Sequence, residues 1–78
     1  NGNFKVYPNP TSSILTIESL DNSEPLESLE VLNLNGQVIF NYAVSNQSQM
    51  TLDLSDLPNA VYILRINQVV NQRIVKTE

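Results

Sequence analysis

The chain has 78 residues and a net charge of -4, with no cysteine and no histidine. That excludes a disulfide framework, a thiol nucleophile, and the commonest general base and metal ligand. Four basic residues are too few to neutralise a nucleic-acid backbone. No apolar run approaches the ~20 residues of a membrane-spanning helix, and no basic start followed by an apolar stretch marks a signal peptide. The length suits one domain over residues 1–78 with a small core. Asn1-Gly2-Asn3 lacks an initiator methionine and reads as the end of a linker.

The first run, Phe4 to Tyr7, stops at Pro8-Asn9-Pro10. Each proline lacks a backbone N–H and holds the residue before it extended, so a central strand cannot pass through this point. Asn9 can bond its own backbone and close a local turn. The corner is expected to be structural, with Tyr7 packing on the fold. Ser13 to Glu18 is the second strand, and Leu20 to Glu27 a polar loop around Asp21-Asn22-Ser23-Glu24-Pro25.

Ser28 to Leu34 and Gln37 to Ala43 form the next two strands. They meet at Asn35-Gly36, two residues that tolerate the positive φ of a tight hairpin turn. A two-residue turn pairs Asn33 with Val38, Val31 with Phe40 and Leu29 with Tyr42. It also sets Leu32 against Ile39 and Glu30 against Asn41, leaving one face almost wholly apolar. A type I turn over Asn33 to Gly36, with Gly36 as a bulge, is the alternative.

Ser45 to Ser48 reads as a loop. Gln49 to Leu54 alternates, with Met50, Leu52 and Leu54 on one face. Ser55 to Asn59 is a turn, and Val61 to Ile66 is a strong strand with Tyr62, Leu64 and Ile66 on one face. Asn67 to Asn71 is a hairpin connection, and Gln72 to Lys76 is the last strand. About seven short strands at regular spacing, with no long segment of helical period, describe an all-β antiparallel sandwich.

Little in the chain can carry chemistry. Asp53 and Asp56 flank Ser55, but a divalent cation needs six or more oxygen donors on an ordered loop, and a solvated turn is the plainer reading. Ser12, Ser13 and Ser55 have no histidine partner, so no triad forms. Asn46-Gln47-Ser48 fits the N-glycosylation acceptor, a short match that arises by chance. Tyr7, Tyr42 and Tyr62 would make a sugar-binding platform if exposed together, although strand tyrosines are more often half-buried. Arg65, Arg73 and Lys76 cluster on the last two strands, either guarding an edge or forming a recognition patch.

Four motifs stand in order: Val6-Tyr7-Pro8-Asn9-Pro10-Thr11 ahead of Leu15-Thr16-Ile17; Asn33-Leu34-Asn35-Gly36; Leu54-Ser55-Asp56-Leu57-Pro58-Asn59-Ala60-Val61-Tyr62; and the closing Arg73-Ile74-Val75-Lys76. Together they resemble the type A C-terminal sorting domain of proteins exported by the type IX (Por) secretion system of Bacteroidetes. The resemblance spans essentially the whole chain. Ala60 stands where the family has glycine, and Arg73 where it has lysine. If that glycine takes positive φ, Ala60 costs about 1 kcal/mol or moves the turn onto Asn59.

The resemblance implies an Ig-like sandwich at the end of a larger cargo protein whose own signal peptide lies elsewhere. It implies export through the periplasm to the cell surface or beyond, recognition by shuttle and translocon proteins, and removal by a sortase-like peptidase that cuts near or before Asn1. It implies no catalysis and no cofactor. Recognition is assigned to Arg73, Ile74, Val75 and Lys76, through an unpaired strand edge and two cations, with Arg65 merely solvated. Tyr7, Pro8, Asn9, Pro10, Asn33, Gly36, Leu57, Ala60 and Tyr62 are assigned structural roles. The edge strands leave open a dimer through them. The rival is an Ig-like carbohydrate-binding or adhesive module, which would need an exposed aromatic row.

Overall fold

The computed structural model describes residues 3–21 and 23–77. Asn1 and Gly2 of the expected linker, Asn22 of the polar loop and Glu78 lie outside them. The strands are β1 (Phe4–Tyr7), β2 (Ile14–Ser19), β3 (Leu26–Leu32), β4 (Val38–Gln47), β5 (Gln49–Asp53), β6 (Ala60–Ile66) and β7 (Val70–Lys76). They form two antiparallel sheets, β1-β2-β5 and β4-β3-β6-β7, the layout of an Ig-like sandwich.

Alternation builds the core. Leu15 and Ile17 from β2 and Leu52 from β5 face Leu29 and Val31 from β3, Tyr62, Leu64 and Ile66 from β6, and Ile74 from β7, all buried. The cross-strand pairs Leu15↔Leu52, Val31↔Leu64 and Leu29↔Ile66 put apolar side chains opposite one another on the inner faces. Each fully buried Leu or Ile contributes about 1.5–3 kcal/mol relative to leaving it exposed.

The β3–β4 turn differs from the expected two-residue form. The Gly36 N–H donates to the Asn33 carbonyl at 3.0 Å, and the Asn33 N–H to the Gln37 carbonyl at 3.0 Å. Gly36 alone in this turn has positive φ, +86°, so the turn is the bulged alternative. The expected pairs Val31↔Phe40, Glu30↔Asn41 and Leu29↔Tyr42 nonetheless form, because a register shift beside Leu32, which pairs with Val38, absorbs the extra residue. The apolar face decides the register, and the bulge accommodates the turn.

Other boundaries also differ, and β3 stops at Leu32 rather than Leu34 because Asn33 already belongs to the turn. β3 begins at Leu26, whose side chain is buried, so the end of the polar loop is strand. β4 runs on through the expected loop to Gln47, opposite Leu26, with Asn46 at positive φ (50°), and the chain crosses to the other sheet at Ser48, whose carbonyl accepts the Ser19 N–H at 2.7 Å. β7 begins at Val70 because Asn67 and Gln68 both take positive φ (53° and 62°) and turn the chain within three residues. Neither Asn59 nor Ala60 has positive φ; Ala60 is simply the first residue of β6, opposite Lys76.

Asn67 ties that turn to the start of β3. Its Oδ1 accepts the N–H groups of Glu27 and Ser28 at 2.7 and 3.1 Å, and its Nδ2 donates to the Pro25 carbonyl at 2.9 Å. Asn67→Gly keeps the backbone freedom and removes all three bonds. It should cost about 2–3 kcal/mol, at roughly 1 kcal/mol per net bond, read as a lower urea midpoint with an unchanged slope.

Candidate functional site

The opening corner and the closing strand meet. Both Tyr7-Pro8 and Asn9-Pro10 peptide bonds are cis, and Pro8, Asn9 and Pro10 are exposed. Asn9 does not bond its own backbone. Its Nδ2 donates to the Arg73 carbonyl at 2.9 Å and its Oδ1 accepts the Val75 N–H at 3.0 Å, contacts 64 and 66 positions away in the chain. Thr11, 2% exposed, continues the grip: its N–H donates to the Val75 carbonyl at 2.9 Å, and its carbonyl accepts the Thr77 N–H at 2.8 Å. Thr11 Oγ1 donates to the Ile14 carbonyl at 2.8 Å, which fixes the path into β2. The outer edge of β7 is therefore paired from Arg73 to Thr77, and the expected unpaired edge is closed.

The four closing residues divide by face. Ile74 is fully buried and Lys76 is 4% exposed, its ammonium 3.3 Å from Asn59 Oδ1. Arg73 is exposed and Val75 half-buried, both turned outward. The three cations do not gather. Arg65 bonds Glu30 at 3.2 Å across β3 and β6, so it is paired rather than merely solvated, and Lys76 lies on the opposite face from Arg73.

Tyr62 makes a tyrosine corner: its hydroxyl donates to the Pro58 carbonyl at 2.7 Å, four residues upstream at the entry to β6. Leu57, half-buried, packs against the core, and its N–H donates to the Leu54 carbonyl at 3.0 Å. Asn33 caps the other turn, with Oδ1 accepting the N–H groups of Asn35 and Gln37 at 2.9 and 3.0 Å. Both motifs border one shallow apolar groove of about 530 Å³, lined by Leu34, Ile39, Leu57 and Val61.

The family described as secretion system C-terminal sorting domain matches residues 5–77. This chain is a member of that family. Neither a curated protein nor a solved structure matches it. A domain of this kind directs its protein into type IX secretion, toward the cell surface or outside.

Other candidate sites disperse in the sorting domain. Tyr7 lies on the outer face of β1, its hydroxyl 3.5 Å from Glu18 Oε1 and its ring 5.2 Å from the Lys5 ammonium. It does not pack on the core, whereas Tyr42 and Tyr62 do. The three tyrosines form no common platform. Asp53 Oδ1 accepts the Ser55 N–H at 2.9 Å and Asp21 Oδ1 that of Ser23 at 2.9 Å, so both carboxylates close local turns. Among the described residues no three His, Cys, Asp or Glu side chains gather as a metal site.

The reach of Asn9 and Thr11 to β7 and of Asn67 to β3 escapes the sequence, because the partners are backbone groups 39 or more positions away. Asn9→Ala should cost about 1 kcal/mol, since water can reach the two groups it frees, and should speed hydrogen exchange at the Val75 amide more than at Thr77. Hydrogen bonds from Ser23 and Ser55 hold the Asp21 and Asp53 carboxyls below the ordinary aspartate value. Both should titrate low by carbon-13 NMR. Because the folded values are depressed, any stability these bonds give is present above the unfolded value and lost as pH falls through the folded one.

Proposed function

We propose that this chain is a non-catalytic export signal at the end of a larger protein. The type IX machinery carries that protein from the periplasm across the outer membrane, and a sortase-like peptidase then removes the signal, leaving the cargo attached or released. Family membership over residues 5–77 supports this reading. The observation that carries its mechanism is the grip of Asn9 and Thr11 on β7.

That grip makes the two ends of the domain one feature. Ile74 and Lys76 anchor β7 inward, while Arg73 and Val75 are presented outward at a fixed height beside the Pro8-Asn9-Pro10 corner. With the backbone edge closed, a shuttle or translocon protein reads side chains: the Arg73 guanidinium for orientation and the Val75 surface for contact. A folded, pre-organised signal loses little entropy on docking, which suits a transient carrier.

The test is a passive reporter joined ahead of the chain in a type IX-competent host. Deleting residues 72–78 should abolish surface delivery. Arg73→Ala should lower delivery several-fold at an unchanged melting temperature, because its side chain is exposed. Lys76→Ala should lower delivery and melting temperature together, because its side chain is buried. Full delivery by the deletion variant would defeat the assignment; full delivery by Arg73→Ala would defeat the docking role.

A further inference from the structure

We propose that the outer edge of β4 is a self-association surface whose occupant is β4 of a second copy of this chain.

The two sheets end in four strands: β1, β5, β4 and β7. Asn9 and Thr11 cover β7 from Arg73 to Thr77. β1 has four residues and carries Lys5; β5 has five and ends at Asp53. β4 has ten residues, Val38 to Gln47, with no charge and no proline among them. Proteins ordinarily guard a long edge with one of those devices. Here the guards are register shifts near the two ends of β4, and they leave Phe40 to Ala43 regular.

That stretch is self-complementary. An antiparallel continuation of the sheet about a two-fold axis keeps inner residues with inner and outer with outer. Phe40, Tyr42 and Val44 of one copy then meet the same set of the other, and Asn41 and Ala43 meet Asn41 and Ala43. Every such pair is apolar with apolar or uncharged with uncharged, in any register that preserves the faces. Phe40 and Tyr42 are half-buried at the open rim of the sandwich, their rings 6.0 Å apart, and a second β4 would cover what remains exposed. Val38 and Ile39 beside them are 48% and 37% exposed.

Charge sets the strength. Glu30, the carboxylate cross-strand from Asn41, is bonded by Arg65, so it adds little repulsion at the seam. The net charge of -4 on each copy still opposes approach. Association is therefore weak and tightens as salt screens that repulsion, the reverse of a partner held by opposite charge.

The experiment is sedimentation equilibrium of the 78-residue chain across a concentration series at low and high salt, with NMR dilution shifts to locate the surface. The expected mass rises from monomer towards dimer, more steeply at high salt, with shifts confined to β4 and its hairpin. Asn41→Lys and Ala43→Lys each place like charges across the seam and weaken the dimer about tenfold or more, while the melting temperature of the dilute monomer stays put. Thr51→Lys on β5 changes nothing. A chain that stays monomeric throughout overturns the proposal. So does a dimer untouched by both β4 lysines, or one whose shifts map to β1, β5 or β7, or one found only with an added protein strand.

Discussion

The grip of Asn9 and Thr11 on β7 is the contact on which the rest of the sorting domain depends. A sandwich of two small sheets has four edges to manage, and its first and last strands are its least anchored parts. Here the segment after β1 leaves the three-stranded sheet, lays Asn9 and Thr11 along β7, and returns to the first sheet as β2. One crossing thereby closes an edge, joins both sheets, and ties the start of the chain to its end. The prolines on either side of Asn9 suit this path, since neither needs a partner for a backbone N–H.

Asparagine does in this domain much of what cross-links do in other small exported proteins. Asn9, Asn33 and Asn67 each spend an amide on backbone groups at a point where a ladder stops. Their short side chains carry a donor and an acceptor side by side, the same pair a peptide group offers. Asn67 also accepts the left-handed backbone that its turn imposes, which few other residues do cheaply. Such bonds are individually modest, and they matter because a core of this size leaves little margin.

Geometry divides the closing strand between two faces. A run of Arg, Ile, Val and Lys reads along the sequence as one uniform recognition element, but a strand turns alternate residues to opposite faces. Lys76 thus belongs to the interior, with its ammonium carried out to Asn59, and Arg73 is left as the exposed cation of the pair. The same alternation separates Tyr7 from Tyr42 and Tyr62, which removes the aromatic row that a sugar-binding reading needs.

Sequence pattern locates the strands whose inner faces are apolar: β1, β2, β5 and β6 lie within a residue or so of where alternation puts them, and the pairing of Val31 with Phe40 follows from the same pattern. It also determined the family, through motifs whose order survives without any coordinates. Tertiary structure alone decided the bulged turn at Gly36, the run of β4 through polar Ser45 to Gln47, the reach of Asn9 to β7 and the inward Lys76. The physical reason is one of range. Side-chain alternation is local and is written into neighbouring residues, whereas a polar side chain takes whichever distant backbone group the packed sheets bring within hydrogen-bond distance of it.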